Sequence, residues 1–131
     1  MRIVTLLAVL LTVVFLAVLA FASVLGVIDP YKASAGYGVA VSDSAGALFY
    51  RVFASRNLVI IAAALIFLVL RQWKSLAILV SLTAALAIFD MAILIRAGVT
   101  PPAFHPVALA LILATSALLW TKVLVARRAG S

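Results

Sequence analysis

The stretch "RNLVIIAAALIFLVLRQWKSLAILVSLTAALAIFD" (residues 56–90) carries charge at only four places, Arg56, Arg71, Lys74 and Asp90. Between them lie two uncharged runs, Asn57 to Leu70 and Ser75 to Phe89. A helix that crosses a bilayer needs about 20 residues. Neither run is long enough alone, so each helix must carry a charged residue below the membrane surface. The intervening "RQWK" (71–74) reads as a tight polar turn with Trp73 at an interface. The two runs are therefore antiparallel membrane helices, and their charged ends are the first functional clue.

The flanking sequence supplies two more spans. Ile3 to Ile28 and Ala97 to Thr121 are each uncharged throughout and exceed the length a span requires. The last begins with a turn, "GVTPPAFHP" (98–106), in which Pro106 suits the first turn of a helix. "SDS" (42–44) caps a helix that begins near Ala45. "IDPYKASAGYG" (28–38), with its proline, glycines and charges, reads as a loop. The expected fold is an all-α integral membrane four-helix bundle. Its helices cover about 3–28, 45–70, 75–97 and 106–126 of a single domain spanning 1–131.

Composition agrees. Hydrophobic residues make up 69% of the chain and charged ones 10%, with a mean hydropathy of +1.41. That is too little charge to cover a water-soluble core. The net charge is +7, but the basic residues stand singly at the ends of apolar runs. They read as membrane anchors, not as a nucleic-acid surface. The chain has no cysteine and one histidine, which excludes disulfide exchange, Cys-bound metals and a bis-His haem within one chain. One His and one Asp in the candidate site are too few for a metal centre, and no cofactor is expected. "AFA" before Ser23 resembles a signal-peptidase site, but the preceding apolar core exceeds the usual length of roughly 7–15 residues, so the first helix is expected to be retained. No internal repeat supports an inverted-repeat transporter.

Orientation follows from lysine and arginine. With the N-terminus inside, the inner side holds Arg2, Arg71, Lys74, Lys122, Arg127 and Arg128, against Lys32, Arg51, Arg56 and Arg96 outside, six to four. An N-in, C-in protein of the cell membrane, of the bacterial inner-membrane kind, is expected.

Depth along the helices then locates a candidate polar site. With the fixed rise of an α-helix, Arg56 lies about 22 Å from Arg71, Asp90 about 24 Å from Lys74 and His105 about 25 Å from Lys122. Three helices bring Arg, Asp and His to one level, just inside the outer boundary of a hydrocarbon core about 30 Å thick. Arg56 is the expected partner of Asp90, because Arg96 lies about 240° around the helix. Asn57 adds a hydrogen-bonding group, and Thr83, Ala87, Asp90 and Ala97 form a small or polar inward stripe. His105 at a helix N-terminus favours neutral imidazole. An ion pair that merely orders the bundle and a ligand site both account for this layer. Elsewhere, Thr5 and Thr12 are expected to bond their own backbone, Trp73 and Trp120 to anchor at interfaces, and Gly36 and Gly38 to serve a turn.

Four segments carry a resemblance: "GYGVAVSD" (36–43), "FASRNLVIIAAAL" (53–65), "IFDMAILIRAG" (88–98) and "FHPVALALIL" (104–113). Together they resemble the small four-helix DoxX-like membrane proteins, in a domain-of-unknown-function branch. The matching positions are Gly38, Arg56 with Asn57, Asp90 and His105, with Asn57 standing where Asp is expected in many relatives. The resemblance implies a membrane fold and, by analogy with quinone-linked relatives, a lipid-like or quinone-like ligand or an accessory-subunit role. The partners expected are membrane lipids, a hydrophobic small molecule or another membrane protein, and no nucleic acid. The alternative is a membrane isomerase or cyclase using Asp90 and His105 as acid and base. A small multidrug-type transporter ranks below both, because residues 3–28 lack the acidic residue such proton-coupled transport needs.

Overall fold

The computed structural model describes residues 2–129, with side chains from 3 to 128, so the Arg2 side chain counted above lies outside the described residues. The elements are α1 (Arg2–Ile28), α2 (Pro30–Tyr37), α3 (Ser44–Val69), α4 (Trp73–Arg96) and α5 (Phe104–Ala129). Helices α1, α3, α4 and α5 are each long and apolar enough to cross a membrane. Their outer faces are greasy: Ile3, Phe21, Phe49 and Val69 are each at least 74% exposed. Such a surface is stable only with lipid as its solvent. The protein is a multi-pass membrane four-helix bundle.

Around the bundle, α1 packs on α3 and on α5, and α5 packs on α4. The ring closes weakly between α3 and α4, although these are joined by the short turn at Leu70–Gln72. The turn is a Schellman motif: Gln72 N–H donates to Phe67 O (2.8 Å) and Arg71 N–H to Leu68 O (3.1 Å). Arg71 takes the left-handed position at φ 55°, where glycine is the usual residue.

The two halves of the bundle differ. Toward the chain termini, Ala8, Ile61, Ala64, Leu76, Ala77, Val80, Leu119 and Val123 form a closely packed core. Hydroxyls there bond within their own helices, as Thr12 Oγ1 does to Ala8 O (2.7 Å) and Thr115 Oγ1 to Leu111 O (2.7 Å). This removes unpaired polar groups from an apolar medium. Thr5 Oγ1 also accepts a hydrogen bond from Lys122 Nζ of α5 (2.8 Å).

Trp120, expected as an interfacial anchor, turns inward and donates from Nε1 to Ser81 Oγ (3.0 Å). Ser81 Oγ also bonds Ser116 Oγ (2.7 Å) and donates to Ala77 O (2.8 Å), so this one oxygen joins α4 to α5 through two side chains. Ser81→Ala leaves the Trp120 N–H without its acceptor. It is expected to cost about 1 kcal/mol, read as a lower thermal unfolding midpoint in detergent, with far-UV circular dichroism unchanged.

The segment expected as a loop at 28–38 contains helix α2. Asp29 is its N-cap, with Oδ1 accepting from Lys32 N–H (3.1 Å), and Pro30 opens its first turn. Proline there loses no hydrogen bond, since the first N–H groups of a helix have no partner anyway. Gly38 closes the helix at φ 104°. Buried Ser34 then secures the exit, donating to Tyr31 O (3.0 Å) and accepting from Val41 N–H (3.1 Å). α3 begins as the capping motif predicts, with Asp43 Oδ1 accepting from Gly46 N–H at 2.7 Å.

Candidate functional site

In the half of the bundle away from the termini the core opens into a cavity of about 180 Å³, lined by all four long helices and by Tyr37 of α2. Phe15, Ile60, Thr83 and Ile112 form its floor, each at least about 13 Å along its helix from the end nearer the chain termini. Its upper part holds the polar side chains Asn57, Asp90, His105, Tyr37 and Tyr50.

Three of the four site residues expected from sequence meet here: Asn57, Asp90 and His105. Arg56 does not. It is exposed and stands outside the lining. The reason is helical geometry: neighbours in a helix are turned by about 100°, so with Asn57 facing the cavity Arg56 faces outward. In place of the expected Arg56, the side chain that shares the cavity with Asp90 and feels its charge is Tyr37, through its hydroxyl. Burial first, and then the nearby Asp90 carboxylate, push the Tyr37 hydroxyl above the ordinary tyrosine range. Tyr37 therefore remains a donor at physiological pH. Of the expected stripe on α4, Thr83, Ala87 and Asp90 face the cavity, while Ala97 lies beyond the helix as its exposed C-cap.

His105 is 7% exposed, and its Nε2 lies 2.8 Å from Tyr37 O. A carbonyl only accepts, so Nε2 carries the proton and Nδ1 keeps its lone pair when the ring is neutral. The ring also meets the Tyr37 ring edge-on at 4.6 Å. Tyr37 packs in turn on Phe53 (6.0 Å) and Tyr50 (6.4 Å), so α2 lays an aromatic lid over the cavity. The lid is braced from outside, because Gly38 lies so close to Pro102 that a Cβ there would sit 2.9 Å from the proline Cδ.

Tyr37 and Tyr50 were not legible as site residues. The signal for Tyr37 was the Asp29–Pro30 pair, an N-cap followed by proline at the first helical position, with Gly38 as the stop.

Residues 5–119 match the family described as Domain of unknown function (DUF4267). The chain belongs to this family. The match includes every residue that lines the cavity. No curated protein and no solved structure matches the chain.

Proposed function

We propose that this small membrane protein binds one uncharged, oxygen-bearing lipid-like molecule, such as a quinone or an isoprenoid alcohol, with its head in the cavity and its tail in the bilayer. The observation that carries this reading is Asn57. Its amide opens into the cavity at membrane depth, about 21 Å along α3 from Arg71, with no protein hydrogen-bond partner among the described residues. An amide without a partner in an apolar medium costs several kcal/mol, and a carbonyl or hydroxyl of a ligand would satisfy it. The free Nδ1 of His105 and the Tyr50 hydroxyl add an acceptor and a donor to the same cavity.

Charge and size narrow the ligand. The lining holds the Asp90 carboxylate and neither Lys nor Arg, so a carboxylate or phosphate head would be repelled. A cavity of about 150 Å³ accepts a benzene ring; at about 180 Å³ this one takes a single-ring head and little more. The tail then leaves through the weakly closed seam between α3 and α4. On this reading the protein belongs with the DoxX-like superfamily, sits N-in and C-in in a bacterial inner membrane, and works alone or as an accessory subunit.

Native mass spectrometry of the protein released from mild detergent tests this, with a short-tailed benzoquinone as added probe. One bound quinone per chain is expected, and Asn57→Leu should weaken it about tenfold, the equivalent of one hydrogen bond. If wild type binds no quinone and retains no apolar molecule from the membrane, the reading fails.

A second reading rests on the Tyr37–Asp90 pair beside a histidine of fixed tautomer. Such a set could move a proton within a bound isoprenoid, as an isomerase or cyclase does. Isomerisation lost in Asp90→Asn and His105→Gln, with quinone binding retained, would favour it.

A further inference from the structure

We infer that the terminal end of the bundle carries a separate site for the phosphate of an anionic glycerophospholipid, centred on Lys122. Lys122 lies seven residues before the last residue of α5, about 10 Å inside the helix end. It does not extend freely to the surface. Its Nζ donates to Thr5 Oγ1 of α1 at 2.8 Å and sits 4.4 Å from the ring centre of Trp73 on α4. Three helices thus hold one ammonium in place.

An ammonium has three donors. Thr5 takes one, and the indole face shields another direction. The remaining direction opens on a groove of about 90 Å³ between α1 and α5, walled by Val4, Thr5, Val125 and Ala126. The chain cannot neutralise this cation with an acidic side chain. Its three carboxylates, Asp29, Asp43 and Asp90, all belong to the opposite end. With no acidic side chain at this end, an anion of the bilayer is the complement this cation fits, and two features select a lipid over free phosphate. The groove walls are mostly apolar, and exposed Ile3 and Leu124 beside them give acyl chains a surface to lie on. A preorganised cation at this depth meets a phosphodiester where headgroup and hydrocarbon join.

The test uses full-length protein in nanodiscs of phosphatidylcholine with a minor share of phosphatidylglycerol. Native mass spectrometry should show phosphatidylglycerol retained about tenfold above its share of the bilayer. Lys122→Met should abolish that preference, and Lys122→Arg should restore it. Equal enrichment in Lys122→Met and wild type overturns the site, as does enrichment that is lost in Arg127→Gln/Arg128→Gln but kept in Lys122→Met. Displacement of the lipid by millimolar inorganic phosphate also overturns it, since that would mark a free-anion site. If Lys122→Met does not fold, quenching decides. In Trp120→Phe, where Trp73 is the only tryptophan, brominated phosphatidylglycerol should quench more strongly than brominated phosphatidylcholine. Equal quenching by the two lipids overturns the proposal.

Discussion

Gly26→Ala is expected to lower the stability of the bundle by about 1–2 kcal/mol, while Gly36→Ala raises it by about 0.5–1 kcal/mol. Helix propensity alone predicts a gain of up to about 1 kcal/mol for both. Packing reverses the sign at Gly26. A Cβ there would lie 2.7 Å from Ala54 Cβ and 3.1 Å from Tyr50 Cε1. The Ala54 methyl is fixed to the α3 backbone and has no rotamer by which to yield. The addition must therefore push α1 away from α3, at the contact where two small residues let the backbones approach. At exposed Gly36 a Cβ meets nothing within 4 Å, so only the reduced freedom of the unfolded chain is felt. Thermal unfolding midpoints in one detergent give both signs. If Gly26→Ala proves as stable as wild type, α1 and α3 are not held at this distance.

Gly38→Ala is expected to cost about 2–3 kcal/mol and, on the proposed reading, to weaken quinone binding as well. Two independent penalties meet at this residue. Its φ of 104° is disfavoured for any residue with a side chain, and its Cβ would lie 2.9 Å from Pro102 Cδ. The site is affected because Gly38 directly follows Tyr37, whose carbonyl bonds His105 Nε2 and whose ring is the centre of the lid. A displaced turn pulls both away from the cavity. Pro102→Ala added to Gly38→Ala separates the terms, since it relieves the collision and leaves the backbone strain. Partial recovery of the melting midpoint is expected. Full recovery would mean that strain contributes nothing, and no recovery that the contact with Pro102 is slack.

The membrane architecture could be read from the sequence because it depends on a one-dimensional quantity. Four apolar runs, their lengths and the charges between them are all visible along the chain, and lipid accepts only segments that bond their own backbone. The level shared by Asp90 and His105 was legible for the same reason, since depth is a count of residues times a fixed rise. The Asp43 cap followed from local chemistry, as did a turn between the two middle spans, expected at 71–74 and found at 70–72.

Which side of each helix faces inward was less legible. α3 is apolar nearly all round, so hydrophobic pattern does not tell Arg56 from Asn57, and charge complementarity pointed to Arg56. Packing settles it. Ala54 meets α1 at Gly26, which sets the rotation of α3, turns Asn57 into the cavity and leaves Arg56 outside. Helix α2 was hidden because proline and glycine mark a loop and a capped short helix alike, and Ser34 must be buried before the helical form is favoured. The number of spans and the depth of the polar layer are written along the chain, because bilayer thickness and helical rise suffice for both. That Tyr37 shares a cavity with Asp90 is a product of three-dimensional packing. The pairing depends on how α2 folds back over the bundle and on the rotation of each helix, neither of which leaves a mark along a uniformly apolar chain.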